Sequence, residues 1–341
     1  MTDTGRPATT PPDSGGIVVD HVSRSFGSVL AVRDASFIAP AGQVTGLIGP
    51  NGSGKTTLML MLASLLAPER GSIRVAGHDP LTETAAVRSQ LGWMPDVLGS
   101  WPSLTVRSAL RTTGRLYGMS ADAAAVRAEQ LITDVGLAEL ADRRTKVLSR
   151  GQKQKLSLAR ALVHDPSVLL LDEPASGLDP VARVELREIV RGLAAQGKTV
   201  LVSSHVLAEL DEMADSAVYI AGGVTADAGR VEEAKSSARP WRLRVVEGNA
   251  MQALVAAGVD AAAVAYDRGE LLVPLATEAA AADLLTTLVG QGLRVSVFAP
   301  AVGDLEHAFL DLSRGDLRRH DPDPGGSAPP AAPIATDGNA S

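Results

Sequence analysis

Residues 49–56 read Gly-Pro-Asn-Gly-Ser-Gly-Lys-Thr, set between an apolar strand pattern at Val44–Ile48 and a helix pattern opening near Lys55. This is a complete G-x-x-x-x-G-K-[ST] stretch in strand–loop–helix context, the arrangement in which backbone N–H groups turn inward around a phosphate chain and the helix dipole faces the anion. Gly49, Pro50, Asn51, Gly52, Ser53 and Gly54 form the cradle, with Thr57 behind it in the helix. Lys55 reaches the β and γ phosphates, and the Thr56 hydroxyl is placed to ligate Mg²⁺. The expected ligand is a nucleoside triphosphate.

Such a loop serves several kinds of nucleotide machine, and the rest of the chain has to separate them. Residues 168–173 read Val-Leu-Leu-Leu-Asp-Glu, an apolar run too short for a helix and ending in two carboxylates. It predicts a buried parallel strand, and in open α/β sheets ligands gather at the C-terminal ends of such strands. Asp172 is thereby placed to hold the Mg²⁺ shell and Glu173 to take the proton of an attacking water. Between Lys55 and Asp172 lie 116 residues, most of them helical in pattern. That is far more than one strand–helix–strand crossover needs, so an inserted helical subdomain is expected.

Near the end of the insertion stands Leu148-Ser149-Arg150-Gly151-Gln152, ahead of a run in which Leu156, Ala159 and Leu162/Val163 share one helix face. A second helix N-terminus with small residues is a second place for an anion. Here the sequence resembles the ATP-binding cassette (ABC) ATPases, whose signature is LSGGQ. Ser176-Gly177-Leu178-Asp179 corresponds to the family's D-loop and Ser203-Ser204-His205 to its switch histidine, all in the family's order from Ile17 to about Arg230.

The resemblance implies an α/β P-loop NTPase of ABC type, with a RecA-like parallel sheet core, an antiparallel β subdomain and a helical subdomain at about 96–163. It implies ATP and Mg²⁺ as ligands and hydrolysis as the activity. It further implies that His205 contacts the γ-phosphate and orients the water used by Glu173. Taken alone, a histidine after the Thr199–Val202 strand pattern is more often structural. Phe26 occupies the position where the family stacks a ring on adenine, the alternative being ordinary strand packing. Ser149, Gly151, Gln152 and Asp179 are expected to complete the site of a second copy, in a homodimer or a heterodimer.

Two positions depart from the family pattern. Asp96 stands where many members carry glutamine; it is shorter and charged, so its relation to the metal is open. Arg150 replaces a signature glycine, while Gly151, the close-approach position, is kept.

A formal charge of −7 and a pI near 5.4 argue against a nucleic-acid surface. There is no cysteine, and the six histidines show no ligand spacing. No stretch approaches the roughly 18 to 20 apolar residues of a membrane span; the longest, Leu58–Ala67, reads as a buried helix. The first fifteen residues predict a disordered arm rather than a signal peptide. The expected location is cytoplasmic, peripheral on the membrane through permease subunits, without direct insertion.

Residues 16–231 are read as the ATPase domain and 232–240 as a linker. Residues 241–312 are read as a second, ferredoxin-like α+β unit of order βαββαβ. Its strand patterns are Trp241–Val246, Ala262–Tyr266, Glu270–Leu275 and Arg294–Phe298, with a turn at Asp267-Arg268-Gly269 and helix patterns at Ala250–Ala257 and Ala276–Val289. A short amphipathic helix, Asp304–Leu312, closes the unit, and 313–341 read as a disordered tail. No catalytic constellation appears in the second unit, so a chain ending near Val231 is expected to keep nucleotide binding.

That closing helix, the Ser204–Leu210 run and Asp96 resemble the exporter branch of the family. The loop Asp96–Leu104 is the expected contact with the permease, Trp101 being either an exposed anchor there or part of the helical-subdomain core. The rival readings are an importer ATPase, distinguished by a substrate-binding protein encoded alongside, and a soluble ABC protein acting on ribosomes or DNA. Against the latter, the chain has one uninterrupted cassette and no heptads.

Overall fold

Buried parallel strands carry the site. The computed structural model describes residues 15–312 apart from Leu98, Ser100, 227–230, 232–236, Arg268, Asp304 and Leu310. The expected arm up to residue 14, the tail from 313, most of the linker and the centre of the 267–269 turn lie outside the described residues.

The first sheet has nine strands. In chain order they are β1 (Ile17–Phe26), β2 (Val29–Ala39), β3 (Val44–Ile48), β4 (Arg70–Val75), β5 (Leu91–Met94), β6 (Val168–Asp172), β7 (Thr199–Ser204), β8 (Ser216–Ala221) and β9 (Val224–Thr225), arranged β4-β1-β2-β9-β8-β3-β7-β6-β5. The stretch β8-β3-β7-β6-β5 is parallel throughout, while β1 pairs antiparallel with β2 and β4. Every residue of β3, β6 and β7 is buried, as strands covered on both faces require.

Alternation along these strands sorts the core into two layers. Ile48, Leu169, Leu171, Val200 and Val202 point to one side, and Leu47, Val168, Leu170 and Leu201 to the other. The first layer is covered by α3 (Val106–Leu116), α4 (Ala121–Asp134), α5 (Arg150–Ala161), α6 (Pro180–Ala195) and α7 (Leu207–Met213). The second is covered by α1 (Lys55–Leu62) and the antiparallel strands, with α2 (Thr84–Gln90) alongside. Thr105 and Ser120 cap α3 and α4 by accepting from Ser108 N and Ala123 N, each at 3.1 Å.

The expected Leu58–Ala67 helix is shorter than its apolar run. It stops at Leu62, Ser64 takes φ +59°, and Pro68 follows. Trp101 is neither core nor bare anchor: its ring is half-buried, with the Arg160 guanidinium 4.8 Å above it.

The second sheet holds β10 (Arg239–Glu247), β11 (Ala265–Asp267), β12 (Glu270–Leu275) and β13 (Arg294–Pro300) in the order β11-β12-β10-β13, all antiparallel. With α8 (Ala250–Ala256) and α9 (Glu278–Gly290) this is the βαββαβ order read from the sequence, closed over Leu243, Leu254, Val273, Leu284 and Leu288. The strand expected at Ala262–Tyr266 starts later. Asp260 Oδ1 accepts from Ala262 N at 3.0 Å and winds Ala261–Ala263 into a 3₁₀ turn instead.

The closing helical residues 305–309 correct a second expectation: among the described residues, their buried side chains belong to the core of the first unit. Leu305 and Ala308 are buried in the same cluster as Leu210, Met213 and Tyr219. Leu305 N donates to Asp211 Oδ1 at 2.7 Å and Tyr219 Oη donates to Leu305 O at 3.2 Å.

Candidate functional site

The loop after β3 is shaped by what cannot fit there. Gly54 sits at φ +105°, and a Cβ on it would lie 2.5 Å from Ala31 O, so the residue that launches α1 has to be glycine. No side chain caps α1, which leaves its first N–H groups facing the loop. Lys55 is 7% exposed, and its Nζ donates to Gly49 O at 2.7 Å and Pro50 O at 3.1 Å. Burial holds its pKa below the usual lysine value, against the opposing pull of Glu173 and Asp172. Ser53 Oγ is buried without a hydrogen-bond partner in the same turn.

Across the sheet, β6 delivers its two carboxylates to this loop. Asp172 is 4% exposed, and burial raises its pKa above the ordinary aspartate value; Ser203, Lys55 and Thr56 work against the rise, and Asp96 adds to it. Glu173 leaves the strand in the left-handed region at φ +51°, a conformation that costs a non-glycine residue on the order of 1 to 3 kcal/mol and persists only where the surroundings impose it. Its N–H is shared between Ser203 O at 3.2 Å and Ser203 Oγ at 3.1 Å. Its Oε2 lies 2.7 Å from His205 Nδ1. The Glu173 side chain is largely buried and that of His205 is more than half exposed.

Ser203 is the residue that sequence reasoning passed over. It stands opposite Asp172 in the β6–β7 register, and its Oγ donates to Asp172 Oδ1 at 2.5 Å while accepting from Glu173 N. One hydroxyl thus fixes both carboxylate residues. The signal was present as a small polar residue ending a buried strand pattern, but it acquires meaning only once β6 and β7 are paired.

A cavity of about 340 Å³ opens between loop and strand end, lined by Ala31, Asn51, Thr56, Asp96, Asp172 and Glu173 among others. Its wall also contains Gly52, Gly54, Lys55 and Thr57. Thr56, Asp96 and Asp172 offer only hydroxyl and carboxylate oxygens, the donor set a hard cation such as Mg²⁺ takes. Among the described residues no group of three or more His, Cys, Asp or Glu converges to hold a metal without help.

The other expected residues do not line this cavity. Ser149 caps α5, accepting from Gln152 N at 3.3 Å while Gln152 Oε1 accepts from Ser149 N at 2.9 Å. Asp179 caps α6, accepting from Ala182 N at 3.0 Å. Gly151 lies in the first turn of α5. Phe26 is 49% exposed at the end of β1, with the Arg24 guanidinium 5.3 Å from its ring.

The profile of the family described as "ABC transporter" matches residues 32–176. The daunorubicin resistance ATP-binding protein DrrA3 of Streptomyces coeruleorubidus is 34% identical over 307 residues, which are 89% of this chain and 97% of that protein. The Nod factor export ATP-binding protein I of Burkholderia lata is 41% identical over 203 residues, 60% of this chain and 67% of that one. Among solved structures, one described as the ATP binding subunit of an ABC transporter superposes with a TM-score of 0.58 at 27% identity, covering 64% of this chain and 92% of its own.

Proposed function

Because this chain belongs to the ABC transporter family, as an ATP-binding subunit that hydrolyses ATP, we propose that two such subunits close head to tail around ATP and drive a separate membrane-spanning exporter. One observation carries the composite site. Asn51, Gly52, Gly54, Lys55, Thr56, Asp172 and Glu173 line one cavity, with His205 joined to Glu173 beside it, while Ser149, Gly151, Gln152 and Asp179 sit on helix starts and do not line it. A chain whose second helix N-terminus of this kind does not line its own phosphate-loop cavity has a use for it on another copy. Names of relatives that speak of daunorubicin resistance and Nod factor export support the export direction. Among the described residues no helix is long and apolar enough to cross a membrane, so the path would be supplied by other subunits.

In this reading the loop amides and Lys55 hold the β and γ phosphates, and Lys55 exchanges its bonds to Gly49 O and Pro50 O for phosphate oxygens. Glu173 accepts the proton of the water that attacks the γ-phosphorus in line, and ADP leaves with its β-oxygen negative. His205 keeps the Glu173 carboxylate turned to that water. Mg²⁺, when bound, would be held by Thr56 and Asp172 with Asp96 beside them, and supplies neutralisation of the phosphate charge.

Complementation tests the arrangement. Ser149→Arg blocks the signature end and Lys55→Ala the phosphate end, so each homodimer is expected to be inactive. A mixed dimer has one site with both lesions and one with neither, and part of the ATPase activity is expected to return. Subunit exchange is followed with labelled chains. If exchange occurs and activity stays absent, while a single-chain Ser149→Arg ATPase works, the composite site is wrong.

A further inference from the structure

Arg150, the residue that departs from the signature pattern, does not point at the helix N-terminus. Its Nε donates to Ser176 O at 2.9 Å and its Nη2 to Ser176 Oγ at 2.9 Å, two donors of one planar fork on two acceptors of one residue. One turn along α5, Gln154 Nε2 reaches the same carbonyl at a long 3.5 Å. The two segments lie close around this contact. Gly177 takes φ +71°, and a Cβ there would fall 2.5 Å from Arg150 Nε; a Cβ on Gly151 would meet Leu178 Cδ2 at 3.3 Å.

Ser176 is in turn bound to the site. Its N–H donates to Glu173 O at 3.1 Å, closing the turn 173–176, and Leu178 N donates to Ala175 O at 3.1 Å. Glu173 is therefore gripped on its N side by Ser203 and on its C side by a turn whose far end is held by Arg150. A left-handed glutamate persists only under such double constraint.

We propose that Arg150 is a positioning residue for hydrolysis: through Ser176 it ties the signature helix to the backbone of Glu173, so that the placement of one end of the chain's nucleotide machinery sets the carboxylate at the other. This rests on the reading of Glu173 as the base. A glycine at position 150, the family's own residue, has no side chain to make the link.

The test is steady-state ATPase kinetics of the full chain with Arg150→Gln, Arg150→Lys, Ser176→Ala and the Arg150→Gln/Ser176→Ala double variant. Arg150→Gln is expected to lower kcat about 10-fold, the effect of losing charge-assisted hydrogen bonds, with KM for ATP within about twofold. Arg150→Lys is expected to fall between, since an ammonium is a point donor and meets one acceptor at a time. Ser176→Ala removes one oxygen and should cost less; added to Arg150→Gln it should cost nothing more, because the two act through each other. Hydrogen exchange gives a second readout: the Ser176 and Leu178 amides should exchange faster in Arg150→Gln, with the β-sheet amides unchanged.

An unchanged kcat, a raised KM at unchanged kcat, or additive losses would overturn the proposal, the second outcome by making Arg150 a nucleotide contact. If Arg150→Gln fails to fold, Arg150→Lys and Ser176→Ala still decide it. Glu173→Gln is assayed beside them. Should it keep full turnover, the base assignment fails and the route from Arg150 to chemistry with it; should it be dead while Arg150→Gln runs at full speed, only the Arg150 link fails.

Discussion

At the scale of single residues, the proposed chemistry concentrates on Glu173, whose backbone is held in the left-handed region and whose carboxylate meets His205 at 2.7 Å. Glu173→Gln keeps shape and removes the proton acceptor. ATP binding should persist while turnover falls by roughly 10²- to 10⁴-fold, the usual range for general acid–base loss, in a coupled phosphate-release assay. Lys55→Ala should act differently, since it deletes the charge proposed to meet the β and γ phosphates; nucleotide affinity itself should drop, as measured by calorimetry or a fluorescent nucleotide. Almost all of these residues were legible, because a phosphate loop and a carboxylate-tipped apolar strand are local patterns. Ser203 and the direction of Arg150 were not. Their roles depend on which strand pairs with β6 and on which loop lies over α5, and neither is a local property.

Among the secondary elements, the end of α3 is joined to the sheet through a histidine. Tyr117 follows α3 and stacks on His164 at 3.7 Å and 6°, and His164 Nε2 lies 3.1 Å from Leu91 O at the start of β5. Burial lowers the His164 pKa, outweighing Leu91 O and Asp165, which raise it; Lys198 and Arg127 also lower it. The sign follows from linkage. Above the ordinary histidine pKa of about 6.5, both folded and unfolded chains are neutral here; as pH falls through that value the unfolded chain takes up the proton first, and folded stability is lost. Urea midpoints are expected to decline between about pH 7 and pH 5, and His164→Gln should flatten part of that decline. An identical pH slope in the variant would remove His164 from the account. Element types were mostly readable from periodicity, whereas ends were not. The Leu58 helix stops at Leu62 because the backbone turns at Ser64, and Asp260 diverts a strand start that its alanine-rich surroundings do not mark.

For the molecule as a whole, the closing residues 305–309 change what a truncation means. A chain ending near Val231 retains every residue lining the cavity beside Lys55 and Asp172, yet loses Leu305 and Ala308 from the core of the first unit. Leu305→Ala isolates that effect. It should cost about 2 to 4 kcal/mol of unfolding free energy, as for other buried leucines, and leave nucleotide affinity unchanged; equal stability by urea titration would mean the segment is not part of this core. The βαββαβ order of residues 241–300 could be read along the chain, because each strand and helix carried its own pattern. The docking of 305–309 could not, since an amphipathic stretch shows that it has an apolar face without saying which surface receives it.

That docking also orders events in time. Leu210, Met213 and Tyr219 are synthesised about ninety residues before the leucine that covers them, an interval set by the positions themselves. While the ribosome makes the intervening segment, the first unit can form its parallel strands but leaves an apolar patch open to water beside α7, the kind of transient surface that chaperones bind and that aggregates when they do not. Only once residues 305–309 have been made can that patch be covered, so closure of this part of the first unit's core waits for a segment about ninety residues downstream.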